Sequence, residues 1–182
     1  MRTIALASLV AGLLVASPVQ AAQPKAVPAR LAPPGGSVAA WVILGYGHAV
    51  GVGARYRTSL VPEGFLHSAQ VRDSLDLEAG LDYINWYGYG VAPYDYGYNM
   101  FLPRAGLMWN FWLSPELALY PKLDLGFAFG SYTGTYPTAG RHDFSGLFLE
   151  GSVGLIWRFR RDMSLRGELG NEGLRLGLGF DF

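Results

Sequence analysis

The sequence contains no cysteine. That excludes a disulfide framework, a cysteine-ligated metal and a lipid-modified N-terminal cysteine. Net charge is also missing: 14 Lys and Arg balance 14 Asp and Glu across 182 residues. Nothing electrostatic therefore favours a nucleic-acid partner. Beyond the first twenty residues, no apolar run is long enough to cross a bilayer as a helix. Yet 51% of the residues are hydrophobic and only 15% are charged. A chain of this size, one domain by length, has two ways to use so much apolar surface. It forms either a compact β core or a barrel whose apolar side faces lipid.

Residues 1–21 have the pattern of a secretory signal. Arg2 supplies the charge, Ile4 to Ala16 a core too short to span, Ser17-Pro18 a break, and Val19-Gln20-Ala21 a cleavage site. Export to the periplasm and cleavage after Ala21 or Ala22 are expected. Residues 22–37 carry Pro24, Pro28, Pro33, Pro34, Gly35 and Gly36. Proline fixes φ and removes donors, so this stretch is expected to be an extended periplasmic linker.

From Val38 onward the chain alternates with a period of two, the signature of strands with one apolar and one polar face. The expected strands are 38–47, 50–60, 74–86, 99–113, 117–130, 144–158, 163–169 and 174–182. In the third, Leu75, Leu77, Ala79, Leu81 and Tyr83 oppose Asp76, Glu78, Gly80 and Asp82. Eight is an even number, so both chain ends fall on one side, taken as periplasmic. The connections at 114–116 and 160–162 are then short inner turns, and those at 87–98 and 131–143 long outer loops. The connection at 61–73 is the exception, long where a short one is expected.

The last strand is the most regular. Leu174, Leu176, Leu178, Phe180 and Phe182 alternate with Arg175, Gly177, Gly179 and Asp181. It resembles the closing strand of bacterial outer-membrane β-barrels. Residues 38–182 resemble the small barrels of the OmpX and OmpA-transmembrane-domain type. The resemblance implies an all-β, eight-stranded antiparallel transmembrane up-and-down barrel in the outer membrane. It further implies a monomer surrounded by outer-membrane lipid and lipopolysaccharide, with Leu174, Leu176, Leu178, Phe180 and Phe182 read by the barrel-assembly machinery.

A dyad alone does not separate a soluble sandwich from a barrel in lipid, so the charges decide. The polar faces carry Arg55, Arg57, Arg104, Lys122, Arg158, Arg166 and Arg175 against Asp76, Glu78, Asp82, Asp124, Glu150, Glu168 and Asp181. Equal numbers of each sign suit a closed lumen in which they pair, because an unpaired buried charge is costly. Glycines on the same faces, such as Gly53, Gly80, Gly106 and Gly126, leave room for long side chains in a narrow interior. Tyr56, Tyr83, Trp109, Phe111, Trp157 and Phe159 read as interfacial girdles on the other face. Pro103 and Pro121 run against this pattern, since each forfeits a ladder hydrogen bond. They are expected above the apolar band or at bulges.

An eight-stranded barrel is just filled by its side chains, so a wide pore is not expected. The leading expectation is a non-enzymatic structural or surface-interaction barrel, with no cofactor or metal. The alternatives are a narrow porin-like channel and a lipid-modifying enzyme of the lipid A deacylase type. Tyr87, Tyr89, Tyr94, Tyr96 and Tyr98, with interspersed glycines, are the outer-loop recognition candidates; a rim that extends the aromatic girdle is the reading favoured over recognition. Residues 131–143, with Tyr132, Tyr136, Arg141 and His142, could face lipopolysaccharide phosphates. His142, Ser145 and Glu150 are the nearest approach to a catalytic set. The His-x-Ser run of the deacylases is absent, and Ser145 and Glu150 differ by an odd number, which places them on opposite strand faces. His67-Ser68 falls in an inner connection, and His48 has no acidic neighbour in sequence.

Overall fold

A computed structural model describes residues 35–66, 71–88, 96–134 and 143–182. Eight strands follow in order: β1 (Gly36–Gly45), β2 (Ala49–Val61), β3 (Arg72–Gly88), β4 (Tyr96–Trp112), β5 (Leu117–Gly134), β6 (Asp143–Arg158), β7 (Met163–Gly170) and β8 (Gly173–Asp181). Each pairs antiparallel with its sequence neighbour, and β8 returns to β1, so the sheet is a closed barrel. The expected signal segment and most of the linker lie outside the described residues. β1 begins two residues before the expected 38, because Gly36 and Ser37 already pair with Thr58 and Arg57.

The strands also reach further than the alternation suggests. Tyr87 pairs with Gly97, Gly88 with Tyr96, and Gly97 with Thr133. The two long connections at the end away from the termini, the far end, are thus 89–95 and 135–142, not 87–98 and 131–143. Tyrosine and glycine on both faces hide the dyad there while the backbone ladder continues. At the terminal end, the turns at 113–116 and 159–162 are short and the connection at 62–71 is long.

Side chains alternate as the sequence requires, with the polarity of a soluble protein reversed. On β3, Ser74, Asp76, Glu78 and Asp82 are buried inside. Outside, Val52 is 59% exposed, Leu125 57%, Leu149 64% and Leu147 81%. An apolar exterior of this extent matches hydrocarbon, where a closed ladder leaves no backbone group unpaired.

The prolines are not at bulges. Pro103 pairs regularly with Leu81 on β3, and Pro121 with Val153 on β6. The β4–β5 ladder lapses beside each of them, running to Phe101–Phe129, resuming at Arg104–Gly126, and again passing from Met108–Lys122 to Phe111–Leu119. The sum of the partner numbers never changes, so the register is kept. Both missing donors are accommodated on one seam between two strands. The register shift that does occur lies between Ser59 and Val61, where β2 meets β3.

Candidate functional site: a neutralised lumen

Every strand from β2 to β8 sends at least one charged side chain inward. Of the fourteen residues expected to form the lumen network, Arg158 is half-buried and the rest are buried. All fourteen make ion pairs. At the terminal end, Arg57 faces Asp76 at 3.6 Å and Asp181 at 3.4 Å, and Arg158 and Arg166 approach Asp181 at 3.5 and 3.3 Å. Arg166 also reaches Glu78 at 3.5 Å, which links this group to the middle layer.

There Lys122 contacts Glu78 at 2.6 Å, Asp124 at 3.1 Å and Glu168 at 3.3 Å. Arg55 contacts Asp82 at 2.8 Å, Glu78 at 3.3 Å and Glu168 at 3.4 Å. Arg104 bridges Asp82, Asp124 and Glu150. Arg175 pairs with Glu150 at 2.8 Å, Glu168 at 3.1 Å and Glu172 at 2.6 Å. Glycine makes the space: a Cβ on Gly53 would lie 2.2 Å from the Asp82 carboxylate, and one on Gly106 as close to that of Asp124.

Three features of the interior are not legible as polar alternation. Aromatic rings line the charged layer, with the Arg55 guanidinium 5.0 Å from the Trp41 ring, that of Arg104 5.6 Å from Phe148, and that of Arg158 4.2 Å from Trp112. Two apolar clusters flank the charged layer. Ile43, Ala49, Ile84 and Met100 pack with Trp86, Tyr98 and Phe144 at the far end. Met108, Ala118, Tyr120, Ile156 and Trp112 pack together on β4, β5 and β6 toward the terminal end, beside the charged group of Arg57, Asp76 and Asp181. Glu172, in the far-end turn, joins the network through Arg175. Burial lifts its carboxyl above the usual range, and the Arg175 guanidinium offsets this only in part. The signal for these clusters is in the sequence, as unbroken apolar runs such as Trp41-Val42-Ile43-Leu44 and Leu155-Ile156-Trp157. Where both faces of a strand are apolar, the inner one joins one of these buried clusters.

The recognition candidates separate. Tyr98 is not in a loop: it lies on β4, its ring stacked on Trp86 at 5.3 Å and edge-on to Phe144 at 5.8 Å inside the barrel. Its place there follows from parity with Met100 and Leu102. Tyr87 and Tyr96 belong to β3 and β4. Tyr89 and Tyr94 lie outside the described residues, as do Tyr136, Arg141, His142 and His67-Ser68.

Ser145 lines a shallow groove of about 400 Å³ on the outer wall, with Asn99, Phe101, Phe129, Ser131 and Asp143. Glu150 points into the lumen, bound to Arg104 and Arg175. The wall of the barrel separates the two. Among the described residues, no three His, Cys, Asp or Glu side chains converge as metal ligands.

The barrel is similar to Ail, the attachment invasion locus protein of Yersinia pestis, with a TM-score of 0.50 at 12% identity over 82% of this chain and 99% of that one. The fold is that of a small outer-membrane β-barrel. The N-terminal β-barrel domain of Pseudomonas aeruginosa OprF is also similar (TM-score 0.46, 16% identity, 81% of this chain and 96% of that one). So is Neisserial surface protein A (TM-score 0.43, 14% identity, 81% and 97%). No family model matches the sequence, and no curated protein matches it. At these identities the likeness is one of fold.

Proposed function

We propose that the protein is a non-enzymatic barrel of the bacterial outer membrane with a structural or surface-interaction role. One observation carries this reading: the lumen is filled by mutually neutralised charges, with an apolar cluster packed across its far end. Ions crossing it would have to strip buried pairs apart and pass the apolar cluster at the far end, and each step is costly. In this reading the terminal end faces the periplasm, the chain arrives by signal-peptide export, and the barrel is monomeric in outer-membrane lipid and lipopolysaccharide. The outward face of β8, with Leu174, Leu176, Leu178 and Phe180, together with the terminal Phe182, is what the barrel-assembly machinery reads.

Recognition is assigned to the far-end connections 89–95 and 135–142, where tyrosine and glycine combine adaptable contacts with low entropy cost. Purified protein in planar bilayers is expected to give no stable channel openings, and stable openings would establish the narrow channel instead. Lipid A incubated with wild type and with Ser145→Ala is expected to give identical mass spectra. Replacing 89–95 with a glycine-serine loop is expected to abolish surface binding without changing heat-modifiable gel mobility.

A further inference from the structure

The long connection after β2 breaks the pattern of short terminal-end turns, and its described part is tied back onto the barrel's outer wall. Gly64 donates to Val61 O at 3.2 Å and has a φ of 63°. A Cβ there would sit 2.2 Å from the Asp73 carboxylate, so only glycine fits. The turn delivers two backbone donors to one side chain: Phe65 N reaches Asp73 Oδ2 at 2.8 Å and Leu66 N reaches Oδ1 at 2.9 Å. Trp109 Nε1 supplies a third, 2.8 Å from Oδ2.

Asp73 shares the outward parity of Leu75 and Leu77, yet it is fully buried. The folded-back connection covers it. What that connection presents is apolar: Phe65 is 57% exposed and Leu66 44%. Phe65 stands edge-on to Trp109 at 6.4 Å, and Trp109 touches Phe111 at 4.9 Å, so the segment continues the aromatic belt of the terminal end. A water-facing turn would hydrate its carboxylate and its backbone. This one satisfies them internally and turns its oily side chains outward, as a segment must do in a dry medium.

We propose that Pro62–Leu66 is a membrane wedge, clamped by Asp73, that inserts Phe65 and Leu66 into the phospholipid leaflet at the terminal end. The wedge rests on the membrane reading above, and the test separates the two. The cysteine-free chain accepts single labels, so nitroxides are placed through Phe65→Cys, Leu66→Cys, Glu63→Cys and Leu77→Cys. The full-length barrel is reconstituted in vesicles of phosphatidylethanolamine and phosphatidylglycerol. Labels at 65, 66 and 77 are expected to collide chiefly with dissolved oxygen, and the label at 63 with a water-soluble nickel chelate.

Nickel-dominated collisions at 65 and 66 beside an oxygen-dominated 77 overturn the wedge alone. Nickel dominance at 77 as well overturns the membrane reading and the wedge with it. Asp73→Asn, which keeps the shape but replaces one acceptor with a donor, is expected to raise nickel accessibility at 65 several-fold while heat-modifiable mobility is retained. Unchanged accessibility at 65 in that variant overturns the clamp.

Discussion

Lys122 Nζ lies 2.6 Å from Glu78 Oε1, although β5 and β3 are separated in the sheet by β4. The contact crosses the lumen, and the same ammonium also reaches Glu168 on β7. One side chain thus ties three strands that share no hydrogen-bond ladder. Removing one member of a buried ion pair costs about 3–5 kcal/mol, because the partner is left uncompensated. Glu78 retains Arg55 and Arg166, so Lys122→Met is expected to lower the unfolding free energy in urea by about 3 kcal/mol, the low end of that range. Adding Glu78→Gln should recover part of the loss, and strict additivity of the two changes would show that the pair is not coupled.

Tyr120 fills the interior beside Gly154. A Cβ on Gly154 would lie 2.2 Å from the Tyr120 ring and 2.7 Å from Gly167 O. The ring has little room to move, since its hydroxyl meets Glu168 at 3.3 Å. Overpacking of this kind costs about 1–3 kcal/mol. Gly154→Ala is expected to destabilise the barrel within that range, and Gly154→Ala with Tyr120→Leu to be more stable than Gly154→Ala alone. A single variant as stable as wild type would show that the lumen has room for a methyl group beside Tyr120.

How much of this was legible in the sequence depends on what each face carries. Where charge alternates with leucine, as in 74–86 and 174–182, strand, face and burial follow directly, and the lumen ion pairs follow from equal numbers of opposite charges. Where both faces carry aromatic or small residues, the dyad vanishes. The extension of β3 and β4 through Tyr87, Tyr96 and Tyr98 was therefore hidden, as were the apolar clusters around Ile43 and Ile156. Asp73 was hidden for another reason. Its parity marks it as outward-facing, and its partners come from a connection seven and eight residues away and from Trp109 on the adjacent strand. Only the folded chain brings them together.

Glu172 offers a pH-dependent handle outside the strands. Burial raises its pKa; the nearby Arg175 and Arg104 oppose this, and the like-charged Glu150 and Asp82 add to it, with Tyr98 also close by in charge interaction. A raised folded-state pKa gives stability that is present below the unfolded value, about 4.3 for Glu, and lost as pH rises through the folded one. Glu172→Gln removes this titration. The difference in unfolding free energy, wild type minus variant, is therefore expected to fall as pH rises from about 4 toward neutrality. A difference that rises over the same interval would show that the Arg175 pair governs the group instead.

The inverted polarity of the wall is open to the simplest substitution. Leu125 is 57% exposed on β5, flanked in register by Ala105 and Leu149, and its neighbour Asp124 is buried inside. In water, arginine at so exposed a position would be close to neutral, since surface changes away from special features stay within about 0.5 kcal/mol. In hydrocarbon near the midplane of a barrel it costs about 2–4 kcal/mol, falling to about 0–1 near the interface. Leu125→Arg is therefore expected to destabilise the protein in vesicles by several-fold more than Leu60→Arg, at the terminal end of β2. Equal and small effects at both positions would mean that bulk water, rather than acyl chains, bathes the leucines of this wall.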